Sequence, residues 1–160
     1  MKIRLGTVPT LRLVTLRALV TVPQLRGLTV SGASHGTVSD LSSTEGFDLT
    51  VSGASGVTGN VAAGDIGFDV SGASTVQLEG SADNMSAIVS GASTVNLDDL
   101  TVNNANVNIS GASTVIINLS GRLDANVSGA STLLYIGDHP IMGTIDVSGA
   151  STLRRIQRLW

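Results

Sequence analysis

Aspartates are the residues of this chain best suited to chemistry. Asp98 and Asp99 are adjacent, Asp65 and Asp69 stand four apart, and Asp138 precedes His139. Clustered carboxylates can hold calcium or, with a suitable acid and base, activate water against a glycosidic bond. Two features argue against that use here. Adjacent Asp98 and Asp99 either point to opposite sides of a strand or share a turn. The nine bases are Lys2, Arg4, Arg12, Arg17, Arg26, Arg122, Arg154, Arg155 and Arg158, so residues 27–121 hold nine acids and no base. The acids therefore read as solvated turn residues, and no catalytic residue is assigned.

Other chemistries are equally poorly served. Cysteine is absent, which excludes disulfides, thiol nucleophiles and thiolate-bound metals. The two histidines, His35 and His139, are far apart and read as surface or loop residues, and the calcium-binding Gly-Gly-x-Gly-x-Asp repeat is missing. No metal site and no cofactor are expected. Despite 19 glycines there is no phosphate loop or dinucleotide fingerprint. Nucleic acid would require a basic face with interleaved rings. The only rings here are Phe47, Phe68, Tyr135 and Trp160, the two phenylalanines being expected in the core. The sequons at Asn84, Asn108, Asn118 and Asn126 reflect a composition rich in Asn and Ser.

The elements that carry these residues are set by a repeat. Ser-Gly-Ala-Ser occurs as Ser31-Gly32-Ala33-Ser34, Ser52-Gly53-Ala54-Ser55, Ser71-Gly72-Ala73-Ser74, Ser90-Gly91-Ala92-Ser93, Ser110-Gly111-Ala112-Ser113, Ser128-Gly129-Ala130-Ser131 and Ser148-Gly149-Ala150-Ser151. The steps are 21, 19, 19, 20, 18 and 20 residues. A β-branched residue precedes every copy, and in the last five a Thr and an aliphatic residue follow. Around the motif apolar and polar residues alternate, as in Ala105-Asn106-Val107-Asn108-Ile109, which is the pattern of half-buried strands.

A unit of this size holds two or three short strands and tight corners, one coil of a parallel β-solenoid. The expected fold is all-β, a single-stranded parallel β-helix of about eight coils of 18–21 residues. Equivalent residues stack at the strand spacing, so a crowded corner needs a small residue in every copy, and the serines can form hydroxyl ladders. If Ile109 and Val115 both face inward, parity turns Gly111 and Ser113 inward as well; a bend inside the motif would bury Ala112 instead. The pattern leaves both open.

One domain is expected over 1–160, with an irregular N-terminal coil or cap at 1–29, seven repeat coils at 30–153 and a C-terminal cap at 154–160 that includes Trp160. Charges at the ends would block edge-to-edge stacking. Met1-Lys2-Ile3-Arg4 resembles the start of a signal peptide, but Arg12 and Arg17 interrupt the apolar stretch, so the chain is expected to be part of a longer exported protein or to stay inside the cell. No apolar run approaches membrane-spanning length, and insertion into a membrane is not expected.

The recurring Val-Ser-Gly-Ala-Ser-Thr-Val units, together with the lead-in Val22-Pro23-Gln24-Leu25-Arg26-Gly27-Leu28-Thr29-Val30, resemble the head GIN domain of auto-transporter adhesins over about residues 22–153. The resemblance implies a right-handed β-helix of pectin-lyase-like architecture, a prokaryotic cell-surface or extracellular setting, an adhesive role and no catalytic residues. Six-residue spacings such as Val70 to Val76 keep a left-handed hexapeptide helix as the alternative, although steps of 18–21 fit its strict coil poorly. The expected function is a non-enzymatic adhesin or structural spacer whose ligand is a surface glycan or protein. A carbohydrate-active β-helix and a self-assembling rod are the alternatives.

Overall fold

The computed structural model describes residues 24–157. These form eleven strands and no helix: β1 (Gly27–Val30), β2 (His35–Ser43), β3 (Phe47–Val51), β4 (Gly56–Val70), β5 (Thr75–Val89), β6 (Thr94–Ile109), β7 (Thr114–Leu119), β8 (Arg122–Val127), β9 (Thr132–Ile136), β10 (Ile141–Val147) and β11 (Thr152–Arg155). Every pairing is parallel. Partners lie one coil apart, so each residue sits over its equivalent: Val51 on Val70, Val70 on Val89, Val89 on Ile109 and Ile109 on Val127. The fold is a parallel β-solenoid, of which the described residues make about 7 turns. Residues 1–23 and 158–160, with most of the expected N-terminal coil and Trp160, lie outside the described residues. Within them, Gly27–Val30 already pairs in register with Asp48–Val51.

The strands stack into faces because alternation fixes which side chains turn inward. One face runs through β1, β3, the second halves of β4, β5 and β6, then β8 and β10. A second runs through β2, the first halves of β4 to β6, then β7, β9 and β11. Inside, the column Val57, Val76, Val95, Val115 and Leu133 faces the column Val51, Val70, Val89, Ile109 and Val127, all with no exposed surface. Each such side chain stabilises the fold by roughly 1.5–3 kcal/mol through burial. Phe47 and Phe68 fill the core as their sparsity suggested.

The Ser-Gly-Ala-Ser corner resolves the question of parity. In the fifth copy Ser113 is buried while Gly111 and Ala112 are exposed, an outcome that combines neither alternative in full. The chain turns at Gly111, whose φ of 80° lies in the left-handed region. A Cβ there would stand within 2.4 Å of the Gly91 carbonyl oxygen one coil away, a contact that real Cβ atoms do not make. That oxygen instead accepts the Ala112 N–H at 2.8 Å. The inward Ser113 hydroxyl shares its proton between the Ser110 and Gly91 carbonyls, at 3.1 and 3.4 Å, and accepts the Ser93 N–H at 3.4 Å. Ser93 and Ser131 repeat this arrangement in part, so the expected hydroxyl ladder is a column of staples between coils.

The opposite corner is less regular. Register breaks fall between Val38 and Leu41, Gln77 and Gly80, and Leu97 and Thr101. Extra residues form bulges there, with Asp40 and Asp99 exposed and Leu100 buried, and coil length varies while the Ser-Gly-Ala-Ser corner stays constant.

Candidate functional site

Two outer features are candidates for contact with a ligand. The first is a groove of about 470 Å³ at the irregular corner, where β2, β4 and β5 stack and Asp99 of the β6 bulge closes one side. Register places Thr37, Thr58 and Gln77 in one column, and Val38, Gly59 and Leu78 in the next. Asn60 pairs with Glu79 across the coils, its Nδ2 donating to Oε1 at 3.4 Å. The floor is backbone: a Cβ on Gly59 would fall 2.0 Å from the Val38 carbonyl oxygen. Asp40 adopts a left-handed φ of 52° at the rim. Among the described residues, carboxylates, neutral hydrogen-bonding groups, Val38 and Leu78 line the groove, with no cation.

The second feature is a polar ladder on the face of β4, β5, β6, β8 and β10. Asn84 Nδ2 donates to Asp65 Oδ1 at 2.9 Å, Asn104 Nδ2 donates to Asn84 Oδ1 at 3.0 Å, and the Arg122 N–H donates to Asn104 Oδ1 at 3.2 Å. Arg122 then forks onto Asp124, Nε to Oδ2 at 2.7 Å and Nη2 to Oδ1 at 2.9 Å. Asp124 Oδ1 also accepts the Thr144 N–H at 2.6 Å, tying β10 to β8. The hydrogen bond from Arg122, helped by that from Thr144, pulls the Asp124 carboxyl down to about 2, and the same bond raises the Arg122 guanidinium.

The residues singled out from the sequence are dispersed over these features. Asp98 and Asp99 form the β6 bulge, where the Asp98 carbonyl accepts Asn118 Nδ2 at 3.2 Å. Asp65 anchors the ladder, whereas Asp69 lies four residues on along β4, beyond the intervening Gly67. Asp138 pairs with Arg155, Nη2 to Oδ1 at 2.6 Å, and His139 is exposed with a φ of 62°. His35 lies against Gly56 in the second described coil, far along the chain from His139. Among the described residues, no three His, Asp or Glu side chains gather as metal ligands would. The two features use other residues, among them Thr37, Asp40, Thr58, Asn60, Gln77, Glu79 and Asn104. The repeat could have found several of them. Counting back six residues from each motif gives Asp65, Asn84, Asn104 and Arg122, and counting forward six from its first serine gives Thr37, Thr58 and Gln77.

Fold and surface together define a class: a parallel β-solenoid whose outward side chains bond to one another from coil to coil. The chain belongs to the family described as "Putative auto-transporter adhesin, head GIN domain", which matches residues 2–139. No curated protein and no solved structure matches it significantly. The family match ends before β10 and β11.

Proposed function

We propose that this protein is a non-enzymatic cell-surface or extracellular module, an adhesin head or spacer whose rigid outer surface meets a glycan or protein ligand. The carrying observation is the ladder from Asp65 to Asp124, in which outward polar groups bond along the axis and do not converge on one reacting position. Such a surface suits contact with an extended partner and is poorly arranged for acid–base chemistry, which needs two titratable groups flanking one scissile bond. The family description, an adhesin head, supports the same reading. Nine acids without a base over residues 27–121 favour a neutral or cationic ligand over an anionic polymer.

A carbohydrate-active β-helix is the second reading, favoured by the carboxylates of Asp40, Glu79 and Asp99 in the groove. One experiment separates the two: the purified chain is screened against glycan and polysaccharide arrays while release of reducing sugar is followed in the same preparations. Binding without release is expected, and Thr58→Trp, which crowds the groove from the column beside its floor, locates the contact. Release of sugar refutes the non-enzymatic reading. Failure to bind any glycan or polysaccharide removes glycan adhesion and leaves a protein ligand or a spacer role.

A further inference from the structure

One outward column of the solenoid repeats where folding does not ask it to. Thr75, Thr94, Thr114, Thr132 and Thr152 lie in register on β5, β6, β7, β9 and β11, each directly after its Ser-Gly-Ala-Ser corner. All five are exposed or half-buried. Among the described residues none of their hydroxyls has a hydrogen-bond partner. A strand position favours a β-branched residue but does not ask for a hydroxyl. Duplication of the coil does not account for the identity either, because the next outward column, taken from the same coils, runs Gln77, Asn96, Ile116, Leu134 and Arg154. The column Asp69, Ile88, Asn108 and Asn126 on the other face has diverged as well. The constancy of the threonines therefore points to a contact outside the fold.

We propose that the threonine column is an ice-binding surface, whose methyls and hydroxyls hold a row of water molecules at the positions they occupy in the ice lattice. Two observations select that occupant. The first is the repeat: identical groups recur at the strand spacing of about 4.8 Å and run for about 19 Å from Thr75 to Thr152. Oxygen atoms along a basal-plane axis of ice recur at nearly the same interval. An extended β-linked polysaccharide such as cellulose or chitin turns each sugar over relative to the last, so its identical groups return only at every second step. The second is the setting. From Thr75 to Thr132 the column is bordered by no charge, with Gln77, Asn96, Ile116 and Leu134 on one side and the exposed Ala73, Ala92, Ala112 and Ala130 on the other. Charged groups would keep water in their own hydration shells, whereas a methyl orders the water around it and a hydroxyl both donates to and accepts from a lattice. No aromatic ring in these columns offers a sugar a stacking platform. The surface belongs to the second face of the solenoid, not to the face of the polar ladder, and stands independently of the glycan or protein ligand proposed above.

The test applies two assays on ice to the full chain: the gap between the melting and freezing points of a single crystal, and the inhibition of recrystallisation in a frozen film. The wild type is expected to open the gap and to keep the ice grains small. Thr94→Lys and Thr114→Lys, each of which sets a hydrated charge in the row, should lose both effects with unchanged circular dichroism. Ile88→Lys, at an exposed position on the other face, should keep them. A wild type without effect on ice at any concentration overturns the proposal, and so do folded lysine variants that retain full activity. Capture of the wild type by crystalline cellulose or chitin, lost in Thr114→Lys and unaccompanied by any effect on ice, assigns the column to a glycan and overturns the proposal as well.

Discussion

Replacing Gly91 by Ala isolates the device that lets this repeat stack. Two costs apply at that corner. The φ of 79° at Gly91 lies in the left-handed region, where a Cβ costs about 1–2 kcal/mol. The new Cβ would also sit 2.4 Å from the Gly72 carbonyl oxygen, which accepts the Ala92 N–H at 2.8 Å. Opening the coils enough to relieve that contact lengthens a hydrogen bond worth about 1 kcal/mol. The sum is about 2–3 kcal/mol, which for a chain of this size lowers Tm by about 4–12 °C. The assay is thermal and urea unfolding followed by circular dichroism, with Ala92→Ser as the control, because Ala92 is exposed and should move by less than about 0.5 kcal/mol. Gly91→Asn adds a diagnostic: Asn tolerates the left-handed region but keeps the Cβ, so it should recover only part of the loss. If Gly91→Ala falls within the range of Ala92→Ser, close stacking is not what selects glycine, and the account of the corner fails.

Three further outcomes follow from the geometry. Ser113→Ala should cost about 1–3 kcal/mol in urea unfolding, since it leaves the Ser93 N–H without its acceptor, whereas Ser110→Ala, which keeps the carbonyl that Ser113 uses, should be near neutral. The Asp124 carboxyl titrates at about 2 in the folded chain against 3.8 when unperturbed, so its stabilising effect is complete above 3.8 and disappears as the pH falls to about 2. Hydrogen-exchange protection of the Thr144 amide should drop across that window in the wild type and show no such dependence in Asp124→Asn. Phe68→Ala, emptying a buried ring site, should destabilise by about 3–5 kcal/mol, and a loss under 1 kcal/mol would mean that the core collapses there.

Much of the fold was legible because a solenoid writes its register into its period. Seven motif copies at near-constant spacing determined the all-β, parallel, coil-on-coil arrangement, and strict alternation around Val107 and Ile109 named the inward face correctly. What stayed open was local. Whether Ala112 or the pair Gly111 and Ser113 turns inward depends on a left-handed φ that alternation does not encode. The groove was missed for a related reason. It arises where Asp40 and the Asp98-Asp99 bulge break register, and a change in coil length of one or two residues shows that a bulge exists but not which way it points. The ladder went unread because its members, such as Asn84 and Asn104, lie about a coil apart in sequence, and only their common phase six residues before the motif marks them as neighbours. Of the aspartates that drew attention in the sequence, Asp65 bonds along the axis to Asn84 and Asp138 pairs with Arg155 of the next coil, contacts that no local spacing predicts.

The proposed contact surface depends on outward columns that stack one residue per coil. A distance measurement between spin labels tests that most directly, and the absence of native cysteine makes the labelling clean. Thr58, Gln77, Asn96, Ile116, Leu134 and Arg154 succeed one another in a single column. With Thr58→Cys as the fixed site, pairing it with Leu134→Cys or Arg154→Cys spans four or five strand spacings. Backbone separations of about 19 and about 24 Å are predicted. The two narrow distributions should differ by one spacing, about 5 Å. Broad distributions, or pairs whose separations do not differ by that single step, would contradict the stacked solenoid and with it the surface proposed to carry the function.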